Sequence, residues 1–166
     1  MKILACAAAL FAFSGAAMAQ QSSTKPLVVN IMNGEGQAVG TATLSPAASG
    51  VKIALDIKKL PPGEHSIHIH QTAKCDPPDF KSAGPHFSPA GHAHDSAPAG
   101  DIPDFSLIVG KDGTAHVSTV APNVTMGDDD HSVFSNGGTA IVIHAVAGGT
   151  GTSAPPRIAC GIISKP

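Results

Sequence analysis

Short runs of alternating apolar and polar residues dominate the chain beyond residue 25. Val51–Ile57 carries apolar side chains at its odd-numbered positions, and Leu27–Asn33 is a β-branched run that ends in an Asn-Gly turn. This period of two is typical of half-buried β-strands. Further strands are predicted at Gln37–Leu44, Glu64–Gln71, Phe105–Val109, Thr114–Val120, Thr139–Val146 and Arg157–Ser164. The pattern predicts an all-β sandwich or flattened barrel of about eight antiparallel strands in one domain.

The first residues follow a different pattern, which is that of an export signal. A basic start at Lys2 precedes the apolar run Ile3–Phe13, and Ala17-Met18-Ala19 has the small residues that signal peptidase reads. We therefore expect a signal peptide at residues 1–19, a mature domain at 20–166 and a periplasmic or secreted location. Lipidation at Cys6 is a weaker alternative, because too little apolar sequence precedes it.

Composition narrows the range of partners. The chain has no basic run interleaved with aromatic residues, which argues against nucleic acid, and no apolar stretch after the signal is long enough to span a membrane. Cys75 and Cys160 remain after signal removal, and an even number of cysteines in an exported chain predicts one disulfide. Nine histidines against ten lysines plus arginines is an unusual ratio that points to metal binding.

The histidines of the fourth predicted strand have the spacing of metal ligands. His68 and His70 are two residues apart and therefore share a face, whereas Ile67 and Ile69 point to the opposite face. We expect the isoleucines in the core and the two histidines on the outside, open to solvent. A polar strand face with solvated imidazoles would give the same pattern. His65 shares the isoleucine face and is interpreted as a hydrogen-bonded packing residue.

Other histidines lie in loops or close a strand. The irregular stretch from residue 72 to about 104 contains His86, His92 and His94, and a loop of this length is usually functional or disordered. His144 closes the apolar run Thr139–Val146, where it is either a satisfied core residue or a ligand.

The order of these residues resembles the copper/zinc superoxide dismutase family. The resemblance rests on six segments that occur in the family's order. They are His68-x-His70, Cys75, Gly84-Pro85-His86-Phe87-x-Pro89, Gly100-Asp101, Val142-Ile143-His144 and Arg157-x-x-Cys160-Gly161. It implies a Greek-key β-sandwich with long metal-binding loops. It also implies that Cys75 and Cys160 form the family disulfide.

The resemblance further implies roles for individual residues. His68, His70 and His144 resemble copper ligands, and His86 resembles the imidazolate that bridges copper and zinc. Four nitrogen ligands suit Cu(II). Arg157 resembles the arginine that attracts and orients the superoxide anion, although taken alone it would be an ordinary surface cation.

The expected zinc site departs from the family pattern. His94 and Asp101 match two of the zinc ligands, but the position three residues before Asp101 is Pro98, which has no donor atom. His92 is a candidate replacement that would restore four ligands. A solvated loop residue is the alternative interpretation of His92.

The segment before Arg157 also departs from the family. Ala145–Pro156 contains no charged residue, whereas family members have charges here that steer superoxide and an aspartate that holds the ligand histidines. We therefore expect loosely held ligands. The Asp128–Asp130 run lies in another loop and is interpreted as a solvated turn.

The function implied is disproportionation of superoxide at a histidine-bound copper, with a weakened or atypical zinc site. A copper-binding or copper-handling protein with little or no activity is the alternative. Family members are often dimers, so a homodimer is possible.

Overall fold

Nine β-strands form the framework of the part of the chain that the structure describes. A computed structural model describes residues 25–89, 97–103, 105–146 and 155–166. The strands are β1 (Leu27–Asn33), β2 (Ala38–Pro46), β3 (Val51–Ile57), β4 (Gly63–His65), β5 (Ile67–His70), β6 (Leu107–Val109), β7 (Ala115–Ala121), β8 (Thr139–His144) and β9 (Arg157–Ile163). Two short 3-10 turns lie at Lys81–Ala83 and Ser135–Gly137. The bounds of β1 and β3 coincide with the predicted runs.

Seven of the strands form one antiparallel sheet in the order β5-β8-β9-β1-β2-β3-β7, and β4 pairs with β6 in a small second sheet. The long sheet curls, so that side chains from its two ends meet in one core that contains Ile69 of β5 and Ala115 of β7. The predicted all-β architecture is confirmed. Within the described ranges, no helix is long and apolar enough to cross a membrane.

The period of two in β3 decides which side chains enter this core. Val51, Ile53, Leu55 and Ile57 are buried, while the lysine and aspartate between them are exposed. Burying four such side chains contributes on the order of 6–12 kcal/mol before the entropy of ordering the chain is subtracted. A one-residue slip would expose the whole set, so the pattern fixes the register against β2 and β7.

The run predicted as one strand at Glu64–Gln71 is divided in the structure. The strand β4 ends at His65 and pairs with β6, whereas β5 begins at Ile67 and pairs with β8. At the intervening Ser66, the backbone exchanges hydrogen bonds with His144 and Val146. The chain therefore crosses from the small sheet to the large one at this residue, while the alternating positions His65, Ile67 and Ile69 stay buried on both sides of it.

A second, smaller core covers the outer face of the large sheet. Phe80 and Ala83 of the loop pack there against Ala140, Val142 and Cys160. The disulfide predicted from the cysteine count is confirmed between Cys75 and Cys160, which are 85 residues apart in sequence. The loop is thus attached to β9 covalently and to β8 by apolar packing.

Two further predictions concern the Asp128–Asp130 segment and the signal peptide. The Asp128–Asp130 segment is an exposed turn, as expected, in which Asp129 accepts hydrogen bonds from Thr125 and from the backbone of His131. The predicted signal peptide at residues 1–19 lies outside the described residues.

Candidate metal centre

Four histidines expected to bind metal come together at one end of the outer face. His68 and His70 lie on β5, His144 ends β8, and His86 comes from the loop and forms a β-bridge with His70. One ring nitrogen from each lies within 4.8 Å of those of the other three. The Nε2 atoms of His70 and His144 are 3.3 Å apart. Three separate chain segments therefore converge on a space the size of one ion.

Backbone carbonyl groups orient two of the rings. Nδ1 of His70 lies 2.9 Å from the oxygen of Gly84, and Nδ1 of His144 lies 3.0 Å from the oxygen of Pro155. Since a carbonyl can only accept, each Nδ1 carries the proton and each Nε2 keeps its lone pair for a metal. The expectation of loosely held ligands is wrong for these two residues, because backbone oxygens hold them without any charged side chain from Ala145–Pro156.

The surroundings of His68 indicate whether a metal ion would fit among the four histidines. Its Nδ1 is buried and has no hydrogen-bond partner among the residues that the structure describes. Its ring stacks on that of His86 with centroids 4.1 Å apart. An unpartnered buried nitrogen costs roughly 1–3 kcal/mol. A metal ion among the four imidazoles would satisfy it, and four nitrogen donors suit copper. The residues present therefore fit the copper that the family implies.

The environment keeps these imidazoles neutral. Burial, together with the nearby His86 and His144, lowers the pKa of His68 to about 3. Burial lowers the pKa of His70 to about 2, against the opposing effect of its hydrogen bond to Gly84. The pKa of His144 is lowered as well, mainly by burial. Neutral imidazole is the form that binds metal, so all three are ready to bind at neutral pH.

Arg157 lies beside this cluster and is fixed by two carbonyl groups. Its Nη1 donates to the oxygen of Phe80 and its Nη2 to the oxygen of Gly84, both at 2.7 Å. Burial lowers the pKa of Arg157, and the charge of Asp79 partly opposes this. Guanidinium groups stay protonated in proteins, so the side chain places a permanent positive charge next to the histidines.

The centre is less open than the sequence suggested. Ile67 and Ile69 enter the core as predicted, but His70 has no exposed surface and His144 is only 3 % exposed. The expectation that His68 and His70 provide open access is wrong for His70, because its ring lies against the Gly84 carbonyl group and the His86 ring of the loop. His68 and His86 are partly exposed, and access is therefore from their side.

His65 is confirmed as a buried packing residue. Its Nδ1 lies 2.9 Å from the oxygen of His144, and its Nε2 lies 2.8 Å from the oxygen of Pro61. It thereby links the backbone at the end of β8 to the turn at Pro61.

The expected zinc residues are only partly described. Nδ1 of His86 and Oδ1 of Asp101 are 2.6 Å apart, so these two predicted ligands are adjacent. The backbone oxygen of Pro98 accepts a hydrogen bond from the Asp101 amide at 3.1 Å. His92 and His94 lie outside the described residues, and their part in a zinc site stays a prediction.

The carbonyl groups of Phe80, Gly84 and Pro155 are functional groups that sequence reasoning missed. Every residue has a carbonyl, so composition carries no signal for them. The prolines and glycine at these turns are the available hint, since they fix where the backbone points.

Comparison with known proteins agrees with this geometry. The family model of copper/zinc superoxide dismutase (SODC) matches residues 38–163. The chain is 38% identical to superoxide dismutase [Cu-Zn] 1 of Aquifex aeolicus over 96% of both proteins. It is 31% identical to the superoxide dismutase [Cu-Zn] of Escherichia coli, with 93% of this chain and 94% of that protein covered. A crystal structure of a SOD-like protein from Bacillus subtilis superposes with a TM-score of 0.72 at 30% identity, covering 82% of this chain and 97% of that one. This chain therefore belongs to the copper/zinc superoxide dismutase family.

Proposed function

We propose that this protein disproportionates superoxide at a copper ion held by His68, His70, His86 and His144. The observation that carries the proposal is the convergence of four imidazole nitrogens within 4.8 Å beside a fixed guanidinium. Family membership agrees with it. His68 would bind through Nδ1, because that atom is buried and unpartnered, whereas His70 and His144 would bind through Nε2.

When bound, copper supplies one-electron chemistry that, in sum, turns two superoxide anions and two protons into oxygen and hydrogen peroxide. Arg157 binds and orients the anion, since its guanidinium is charged and fixed by two carbonyl groups. In the metal-free protein Asp101 accepts a hydrogen bond from Nδ1 of His86, so Nε2 of His86 is the atom that would bind copper and that, when not bound to it, would carry a proton toward peroxide. Zinc would take the place of the Nδ1 proton between His86 and Asp101.

The test is a superoxide assay with metal analysis on protein purified without chelators. We expect copper-dependent activity in the natural sequence and none in His144→Ala, with His116→Ala as a control on an exposed strand position. A fully copper-loaded natural protein without activity would reject the proposal.

The zinc site is proposed to be atypical, with His86, His94 and Asp101 as ligands and His92 in place of the histidine absent at Pro98. The close pair of His86 and Asp101 supports this set. Zinc content is the direct test: His92→Ala is expected to lose zinc and to keep copper. Unchanged zinc occupancy in His92→Ala would eliminate the replacement.

A copper-handling role is the second candidate function. It is favoured by one observation: among the described residues, no hydrogen bond fixes the His68 ring. A ligand held only by packing exchanges metal more easily than one fixed through its second nitrogen. Tight copper binding with rapid transfer to a chelator and no superoxide turnover would identify this role.

Export is part of the proposal. The Cys75–Cys160 disulfide suits an oxidising compartment, as does the signal peptide expected at residues 1–19. Mass spectrometry of protein recovered from the periplasm of a bacterial host is expected to find a chain that begins at Gln20.

A further inference from the structure

The segment that carries His86 runs beside β5 as a short extra strand, in which His86 faces His70 in an antiparallel bridge. Two backbone hydrogen bonds enclose this pair, one from Phe87 to Ile69 at 2.8 Å and one from Gln71 to Pro85 at 2.9 Å. The two histidines therefore form a non-hydrogen-bonded pair, the kind in which facing side chains approach most closely. Their ring centroids are 4.8 Å apart.

The side chain of Gln71 extends this pairing past His86. Its Oε1 accepts a hydrogen bond from the Ser88 amide at 2.9 Å. Gln71 thus holds the segment on both sides of His86, at Pro85 through its main chain and at Ser88 through its side chain. In the part of the chain that the structure describes, no other side chain bonds to the backbone of residues 85–88.

His86 is supported differently from the other three histidines of the centre. His68, His70 and His144, which we call the strand histidines, belong to β5 and β8, two strands that pair along their length. The position of His86 depends instead on the short pairing beside β5 and on Asp101. Hydrogen bonds that orient a ligand in this way are typically worth tenfold or more in metal affinity.

Only one bond of the short pairing depends on the type of side chain present. The backbone bonds of Gln71 and Phe87 are open to almost any residue, whereas the bond to the Ser88 amide needs a side-chain acceptor at position 71. Both Gln71 and Ser88 are half-buried, so water replaces this bond less readily than on an open surface. The carboxamide of Gln71 is therefore the part of the pairing that a substitution can remove.

We propose that Gln71 is a positioning residue for His86, an inference that rests on the copper site of the proposed function. Its carboxamide oxygen holds the Ser88 amide and thereby keeps the segment against β5. The His86 imidazole then stays within reach of an ion bound by the strand histidines. Gln71 acts through His86 and is not itself a ligand.

The test is a double-variant cycle on copper affinity. Copper alone is added to the metal-free proteins, and its affinity is measured by competition with a chelator. Gln71→Leu replaces the carboxamide with an apolar group of similar bulk, and it is made both in the natural protein and in His86→Ala, which keeps the strand histidines. Gln37→Leu is the matched control, because Oε1 of Gln37 also accepts a hydrogen bond, at 3.3 Å from Asn33 in an exposed turn.

Gln71→Leu is expected to weaken copper binding about tenfold in the natural protein and to have no further effect in His86→Ala. The electron paramagnetic resonance spectrum of bound Cu(II) should shift toward that of His86→Ala. A tenfold loss in both backgrounds would overturn the proposal, because Gln71 would then act through another ligand or through the fold. Unchanged affinity in Gln71→Leu, or an equal loss in Gln37→Leu, would overturn it as well.

Gln71→Glu separates the acceptor from the shape of the side chain. A carboxylate accepts from the Ser88 amide as a carboxamide does, so this variant is expected to bind copper at least as tightly as the natural protein. A loss equal to that of Gln71→Leu would contradict the role of the acceptor. These measurements need no turnover. A natural protein that shows these affinities but no superoxide activity would reject the dismutase function and retain the positioning of His86.

Discussion

His70 and Arg157 share one hydrogen-bond acceptor, the carbonyl oxygen of Gly84. It accepts from Nδ1 of His70 at 2.9 Å and from Nη2 of Arg157 at 2.7 Å. The imidazole proposed to bind copper and the guanidinium proposed to bind superoxide are therefore oriented by the same atom. Displacing the turn at Gly84 would alter both at once.

Arg157→Lys is expected to lower the rate with superoxide by roughly tenfold, even though the charge is kept. Lysine cannot donate to two carbonyl groups in the forked geometry of guanidinium, so the cation is no longer fixed. The rate is measured per bound copper, and Lys52→Arg on the exposed face of β3 is the control. A fully active Arg157→Lys enzyme would show that charge alone suffices.

Removing the disulfide by replacing both Cys75 and Cys160 with serine is expected to lower the free energy of unfolding by about 4–5 kcal/mol. The link closes a loop of 85 residues, for which the chain-entropy model gives a value of this size. Urea unfolding of the variant and of the natural protein under reducing conditions should agree. A loss below about 1 kcal/mol would mean that packing of Phe80 and Ala83 alone fixes the loop.

The metal-free protein is expected to lose stability as the pH falls from about 7 toward 5. The pKa of His68 is lowered to about 3 and that of His70 to about 2, whereas an unfolded histidine titrates near 6.5. Below about pH 6.5 the unfolded chain binds more protons at these histidines than the folded chain does. The free energy of unfolding therefore decreases as the pH falls.

Urea unfolding at several pH values above 5, where carboxylates stay ionised, measures this dependence. His68→Asn should reduce its slope, because one of the three histidines with a lowered pKa is gone. A free energy of unfolding that does not change between pH 7 and 5 would contradict the expected burial of neutral imidazoles.

Gly100→Ala is expected to destabilise the protein by about 2–4 kcal/mol, since the added methyl group would overlap backbone atoms that have no room to move. A Cβ at this position would lie 2.1 Å from the oxygen of Ile69 and 2.8 Å from the amide nitrogen of Phe87. It would also displace Asp101 from His86. Gly127→Ala is the control, where the nearest atom is an exposed carboxylate oxygen at 3.1 Å.

Much of the fold follows from local pattern. The alternation in β1 and β3 predicts their bounds, because one face of each strand is buried and the other is not. The change of sheet at Ser66 could not be predicted, since the side-chain alternation continues across it. Which strands are neighbours depends on contacts between distant segments, such as β1 with β9.

The candidate site, like the fold, could be predicted from the sequence only in part. Spacing puts His68 and His70 on one face, and family resemblance adds His86, His144 and Arg157. The burial of His70 was not predictable, because it depends on where the loop containing Phe80 folds back. The carbonyl groups that orient His70, His144 and Arg157 cannot be predicted from residue types, because every residue has one. They are identified only from the path of the backbone.

The strand β8 is covered on both faces, by the main core on one side and by the outer core of Phe80, Ala83, Ala140, Val142 and Cys160 on the other. All six of its residues are buried, so a larger side chain at any of them is expected to shift the strand and His144 at its end. Tolerance to mutation is therefore uneven around the centre. We therefore expect that a loop ligand such as the one absent at Pro98 can be replaced without rebuilding the barrel. Substitutions that enlarge Ala140 or Val142, neither of which is a predicted ligand, are expected to shift His144.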